Sequence, residues 1–361
     1  MGLVNRTGVL AGAGALLIAL PGQPGLAAPA AATARRTTGV LSGVAASSAT
    51  NAWAVGNSGA GPGSRTLILH WNGRNWKRVA SPTPRGGGYL AGVAVTSTSN
   101  AWAVGNAGVR TLILHWNGTR WRLVPSPRLP AEVTLAAVTA TSSQVAWAVG
   151  WTDKYNSVIL RWTGTAWKRV AGPALSGGAQ LTSVAAMPDG SAWAVGATDV
   201  SANERTLILH WNGVAWQRVP SPNPDGVAAL AAVAASPGGP VWAVGTDIVR
   251  NRPVTLRSTG GSWKQVRCPN PPGGGGLAAV AAVSARLAWA VGSTLKGGHT
   301  LIMRWNGANW TRVSSASRRP NSTLYGVAGG SAKSALAVGF AATPGPDLTI
   351  ALHWRGAGWR S

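Results

Sequence analysis

Apolar residues in this chain fall into short runs, and the runs repeat in a fixed order. The first is Leu-x-x-Val followed by small residues, beginning at Leu41, Leu90, Leu135, Leu181, Leu230, Leu277 and Leu324. Ala-Trp-Ala-Val-Gly comes next, at Trp53, Trp102, Trp147, Trp193 and Trp289, with a close variant at Trp242 and Ala-Leu-Ala-Val-Gly around Leu336. A run like Thr-Leu-Ile-Leu-His-Trp follows, then a short one of the form Trp-x-Arg-Val. Successive copies of the second run are 49, 45, 46, 49, 47 and 47 residues apart.

Four short β-type runs per repeat of this length, seven times over, predict the blades of a propeller. The expected fold is therefore all-β, a seven-bladed β-propeller with four antiparallel strands per blade. Leu-x-x-Val-Ala-Ala is assigned to the inner strand, because a crowded centre tolerates only small side chains. The second and third runs become the middle strands, and Trp-x-Arg-Val the outer edge. The sequence stops at Trp359-Arg360-Ser361, just where the last outer strand should begin, so that strand is expected to be missing, with residues 35–40 pairing there to close the ring. Asn72-Gly73, Asn117-Gly118, Asn212-Gly213 and Asn306-Gly307 fall between the third and outer runs, where the dipeptide suits a two-residue hairpin turn.

The periodicity also sorts the aromatic and imidazole side chains. Of 20 tryptophans, 19 occupy the second run, the end of the third or the start of the fourth, which predicts rings filling the wedge between neighbouring sheets. Trp151 alone stands outside the pattern. His70, His115, His210 and His353 share one repeat position, with Arg161 and Arg304 in the third and sixth copies. Equivalent positions are spread around a ring and cannot converge on one metal, so packing or hydrogen bonding is their expected role.

The order Leu-x-x-Val, Trp-x-Val-Gly, Gly-x-x-Trp resembles the propeller repeat of photosystem assembly factors of the Ycf48 type and, more distantly, the Asp-box repeat of bacterial neuraminidases. Gly73 to Trp76, Gly118 to Trp121 and Gly260 to Trp263 keep the glycine-to-tryptophan spacing, while Trp71 or Trp116 stands where the Asp-box has its aspartate. The resemblance implies a propeller. It carries over neither sialidase chemistry nor a photosystem partner.

Composition then bounds the setting. Glycine (49) and proline (23) are abundant, as many tight turns require. Residues 1–34 read as an export signal, with Arg6, an apolar stretch from Gly8 to Leu20, Pro21 and then small residues; cleavage is expected after Ala27, Ala32 or Ala34. That apolar stretch is too short to span a bilayer, and no later run reaches a membrane-spanning length. The expectation is a secreted, extracellular protein with the propeller on residues 35–361 and a monomeric state. A single cysteine, Cys268, allows no internal disulfide, so the core alone must hold the fold.

The net charge of +24, from 32 Lys and Arg against eight Asp and Glu, predicts an electrostatic preference for polyanions. Many cations follow the tryptophan of the outer run (Lys77, Arg78, Arg122, Lys168, Arg169, Arg218, Lys264, Arg312), where charge also discourages edge-to-edge pairing. Seven of the acids, Glu132, Asp153, Asp199, Glu204, Asp225, Asp247 and Asp347, map to one face. There the loops joining second to third strands, and outer strands to the next blade, vary in length. Asp189 alone maps to the opposite face. Variable loops on a rigid scaffold are where binding determinants collect.

Trp151, Asp153, Tyr155, Asp199, Glu204, Asp225 and Asp247 are accordingly the candidate ligand-binding residues, an aromatic platform beside carboxylates that suits a sugar or an anionic envelope polymer. No metal-ligand spacing, cofactor motif or nucleophile elbow stands out, and the inner runs supply no paired carboxylates of the kind a glycosidase needs. A non-catalytic recognition module is expected, with a glycan-cleaving enzyme and a salt-sensitive polyanion binder as the alternatives.

Overall fold

The structure is a computed structural model that describes residues 37–59, 61–129, 131–200, 203–236, 238–259, 261–316 and 319–361. The expected export segment, 1–34, lies outside the described residues. Within them the chain forms seven four-stranded antiparallel sheets, each from four consecutive strands.

Blade 1 holds β1 (Val40–Ser48), β2 (Asn51–Ser58), β3 (Arg65–Trp71) and β4 (Trp76–Val79); blade 2 holds β5 (Tyr89–Ser97), β6 (Asn100–Ala107), β7 (Arg110–Trp116) and β8 (Trp121–Leu123). Blade 3 holds β9 (Val133–Ala140), β10 (Ala146–Thr152), β11 (Ser157–Trp162) and β12 (Trp167–Val170); blade 4 holds β13 (Ala179–Ala186), β14 (Ala192–Thr198), β15 (Arg205–Trp211) and β16 (Trp216–Val219). Blade 5 holds β17 (Ala228–Ala235), β18 (Val241–Asp247), β19 (Arg252–Thr259) and β20 (Ser262–Gln265); blade 6 holds β21 (Gly275–Ser284), β22 (Leu287–Thr294), β23 (Thr300–Trp305) and β24 (Trp310–Arg312). Blade 7 holds β25 (Ser322–Ser331), β26 (Ser334–Ala341), β27 (Leu348–Trp354) and β28 (Trp359–Arg360).

Each inner strand carries one extra residue directly after its leucine, so the register with the second strand slips there, as between Leu41 and Gly43 or Leu181 and Ser183. Such a bulge bends the strand and sharpens its twist. It also drives the inner strand's backbone against the glycine that ends Ala-Trp-Ala-Val-Gly. A Cβ on Gly150 would lie 1.8 Å from the carbonyl oxygen of Thr134, and the other six copies are equally tight. Every repeat therefore needs glycine at this position.

The inner strands surround a central cavity of about 220 Å³ lined by backbone and by alanine, valine, glycine, serine and threonine, with Tyr325 the single aromatic. Between blades the tryptophans assemble in threes. Trp102 of β6 packs on the next blade's Trp162 at 4.8 Å and meets Trp167 edge-on at 5.2 Å. The same trio recurs with Trp53, Trp147, Trp242 and Trp289 at its centre. Two interfaces are incomplete. Between blades 4 and 5, Ser258 replaces one ring, and Trp193 is 8% exposed where the equivalent tryptophans are at most 1%. Between blades 7 and 1, Leu336 replaces the central ring and packs with Ala52 and Trp71.

Two expectations need correction. The Asn-Gly turns are four residues long: Asn72 Oδ1 accepts the amides of Arg74 and Asn75 at 3.0 and 2.9 Å, and Asn212 does the same with Val214 and Ala215. The asparagine side chain caps the turn, which a two-residue loop would not allow. The last outer strand, expected to be missing and replaced by residues 35–40, is present as β28, pairing His353 with Arg360 and Trp354 with Trp359. It is too short to cover β27. Thr37 to Gly39 bind the rest of that edge, with Thr349 N donating to Thr37 O at 3.1 Å and Gly39 N to Asp347 O at 2.8 Å. Both ends of the described chain thus close the ring on one strand.

Candidate functional site

The variable face is a continuous belt of hydrogen bonds. In blades 4 to 7 the segment entering the inner strand is stitched both to the loop of the blade before it and to the loop of its own blade. Ala179 N donates to Tyr155 O at 2.5 Å and Asp199 N to Gly178 O at 3.2 Å; Ala228 N donates to Glu204 O and Ile248 N to Val227 O; Gly275 N donates to Asn251 O and Leu295 N to Gly274 O. These loops hold side chains in fixed places rather than trailing freely.

Among the described residues, the five non-glycine residues with positive φ are all on this face: Tyr155 (54°), Asp199 (56°), Asp225 (53°), Asn251 (48°) and Asn321 (52°). Aspartate and asparagine tolerate that left-handed conformation because their short side chains bond locally, whereas a bulky tyrosine gains nothing comparable. Tyr155 occupies the turn position where blade 5 has Asn251 and blade 6 has Gly298, which also has positive φ (52°). Its ring is held outward, 40% exposed. Strain of about 1–3 kcal/mol at such a residue concentrates at functional sites.

The structure brings Tyr155 and Asp199 to either side of the Gly177–Gly178 pair. A Cβ on Gly178 would lie 3.1 Å from the Tyr155 Cβ, and one on Gly177 would lie 2.0 Å from Asp199 Oδ1. Trp151 is half-buried in β10, paired with Thr134 and Ser157. Asp153 is exposed, its amide donating to Glu132 O at 3.0 Å. Glu204 is half-buried, and burial raises its carboxyl above the ordinary value.

Asp225 and Asp247 are engaged elsewhere. Asp225 pairs with Arg250 at 2.6 Å and with Arg252, and Arg252 Nε donates to Asp247 at 2.9 Å. Burial pushes the Asp247 carboxyl up, but the Arg250 amide together with Asp225 and Arg252 more than reverses this and holds it below the ordinary range. The pairing arginines were not singled out from sequence, although Asp247, Arg250 and Arg252 lie within one hairpin. Asp347 is raised by burial and lies near Tyr325, which stacks on Phe340 at 5.7 Å.

The repeat position shared by the histidines lies at the other end of the blades. His70 and His115 pack on Trp53 and Trp102 at 4.4 and 4.3 Å and hydrogen-bond Asn51 and Asn100 at 2.8 Å. Arg161, Arg257 and Arg304 fill the same position in blades 3, 5 and 6, each guanidinium lying over the tryptophans of two blades. Burial lowers His70, His115, His210 and His353 below the ordinary 6.5; the Asp189 carboxylate partly opposes this at His210, and Arg355 adds to it at His353. A folded-state value below the unfolded one means the fold favours neutral imidazole. The stability this contributes is complete above pH 6.5 and is lost as pH falls through the lower folded values. The melting temperature is thus expected to drop between pH 7 and pH 5, and a variant with arginine at all four positions should show a flatter profile in the same scan.

On the outer strands, Lys77, Arg78, Arg122, Lys168, Arg169, Arg218, Lys264, Arg312 and Arg360 are all exposed, and no acid stands among them. The rim is a purely cationic band. Cys268 packs at the interface of blades 5 and 6, and burial pushes its thiol up to about 12, which makes it a poor nucleophile.

No protein-family model matches the chain, and no curated protein does so significantly. Solved propellers do match its shape. YCF48 bound to D1 peptide aligns over 89% of this chain and 94% of its own with a TM-score of 0.59 and 17% identity, and YCF48 from Cyanidioschyzon merolae does so over 90% and 97% at the same score and identity. A GH74 xyloglucanase from Xanthomonas campestris matches over 90% of this chain but 55% of its own (TM-score 0.59, 14% identity). The six-bladed fucose-specific lectin of Aleuria aurantia matches over 74% and 92% (TM-score 0.51, 13% identity). At these identities the likeness concerns the fold. It bears out the propeller and the resemblance to Ycf48-type repeats.

Proposed function

We propose that this chain is an exported, monomeric, non-catalytic recognition module that binds carbohydrate through the variable face of blades 3 and 4. The observation that carries the reading is Tyr155, an exposed aromatic ring kept in a left-handed backbone position where other blades have asparagine or glycine. Trp151, Asp153, Asp199 and Glu204 lie on the same two blades and supply apolar and hydrogen-bonding surface, while Asp225 and Asp247 brace the neighbouring loop through Arg250 and Arg252. Propellers of similar shape include a fucose lectin and a xyloglucanase, so the scaffold is compatible with sugar ligands.

A second reading rests on the cationic rim. It would take anionic envelope polymers by charge alone, with affinity that collapses as salt rises.

The test is a glycan and wall-polymer screen of the chain from residue 35, run at low and high salt, with Tyr155→Asn and Trp151→Ala. Asparagine suits the left-handed turn, so Tyr155→Asn is expected to keep or raise the melting temperature while weakening glycan binding about tenfold, as loss of an aromatic anchor does. Binding unchanged in both variants would remove the site assignment. Binding that disappears with salt and ignores both substitutions would assign recognition to the rim. Turnover of a polysaccharide that Asp153→Asn or Asp199→Asn abolishes would overturn the non-catalytic reading.

A further inference from the structure

Six large hydrophobic residues are exposed among the described residues: Val109, Leu123, Tyr155, Val214, Val249 and Leu295. Four of them share one structural address. Val109, Tyr155, Val249 and Leu295 sit in the loops between second and third strands of blades 2, 3, 5 and 6, on the variable face. Each is 40% exposed or more and adjoins an exposed cation: Arg110, Lys154, Arg250 and Lys296. The blades form two neighbouring pairs, 2–3 and 5–6, on opposite sides of the central cavity. A flat surface resting on this face would meet apolar tips on both sides of the ring.

Apolar residues presented singly with adjacent cations match the boundary of a bilayer, where the tip enters the acyl edge and the cation meets the headgroup. We infer that the variable face docks on an anionic phospholipid surface through these four loop tips. Charge favours that occupant. Seven acids share this face, but Asp225 and Asp247 are neutralised by Arg250 and Arg252, Arg110 and Lys296 make no ion pair among the described residues, and Arg65, Arg85, Arg128, Arg205, Arg267 and Arg319 lie on the same face, so it stays net cationic. The belt fixes the tips of blades 3, 5 and 6, and the Ala107–Arg110 pair closes the tight turn that carries Val109, so little ordering accompanies docking. The inference goes beyond glycan recognition. It uses blades 2 and 6, which that site does not.

Co-sedimentation with phosphatidylglycerol–phosphatidylcholine vesicles, against phosphatidylcholine alone, tests it. The chain from residue 35 is expected to sediment with the anionic vesicles only. Arg110→Gln with Lys296→Gln should reduce partitioning about 25-fold, each cation near such a surface contributing about fivefold. Val109→Asp with Leu295→Asp should reduce it at least about tenfold with an unchanged melting temperature, since both side chains are already exposed. Lys168→Glu with Arg169→Glu on the rim should leave it unchanged. Absence of vesicle binding, equal binding to both vesicle types, or loss in the rim variant alone would each overturn the inference. All three variants keep Trp151, Tyr155 and Asp199, so glycan binding is read separately in the same preparations.

Discussion

Gly150→Ala is expected to cost about 3 kcal/mol or more, and to leave little folded protein at physiological temperature, although it adds one methyl group to a residue that binds nothing. Inserting a methyl into a packed site ordinarily costs about 1–3 kcal/mol because neighbours shift. Here the neighbour is the Thr134 carbonyl, 1.8 Å from the new atom, with Leu135 Cα at 3.0 Å. Backbone cannot rotate aside as a side chain can, and relief requires the β9 bulge to unpair from β10. That bulge sets the inner strand's path along the cavity, so the damage spreads to blades 2 and 4. Urea unfolding measures it. Gly358→Ala, where a Cβ meets nothing within 4 Å and φ is not left-handed, should change stability by less than about 0.5 kcal/mol. Similar midpoints for the two variants would refute the account of the repeat glycine.

The second large effect is at the wedge between blades. Trp102→Ala is expected to destabilise by about 3–5 kcal/mol, the range for deleting a buried aromatic. Trp102 is fully buried and loses contact with His115, Trp162 and Trp167 together. Trp76→Ala should cost less, because Leu336 stands where its edge-on partner would be and Trp76 is only half-buried. The opposite substitution is informative too. Ser258→Trp supplies the ring missing beside Trp193 and is expected to add about 1 kcal/mol. Equal losses at Trp102 and Trp76 would mean that the trios do not carry the interface.

Most of the scaffold was readable because its determinants are local and repeated. The Leu-x-x-Val run, the Ala-Trp-Ala-Val-Gly run and the Gly-x-x-Trp spacing place the strands, and 19 of the 20 tryptophans fall at repeat positions assigned to packing. What escaped was non-local. Pairing of Arg250 and Arg252 with Asp225 and Asp247 depends on the loop between blades 4 and 5 folding over a blade 5 hairpin. The clasp of Thr37 to Gly39 on β27 joins residues more than 300 positions apart. Asn-Gly read as a two-residue turn because the dipeptide carries that signal, and the asparagine's grip on two later amides is invisible without the turn.

Tyr155 shows the division at one residue. By itself the sequence determined that it lies in a variable loop beside Trp151 and Asp153, outside the repeat. Only the tertiary structure decided that its backbone is left-handed, that its ring is held outward, and that Asp199 of the next blade lies across Gly177 and Gly178 from it. The physical reason is the same throughout. Strand identity follows from side-chain volume and alternation within a few residues, which a sequence carries directly. Loop geometry follows from hydrogen bonds between segments that meet only once the ring has closed.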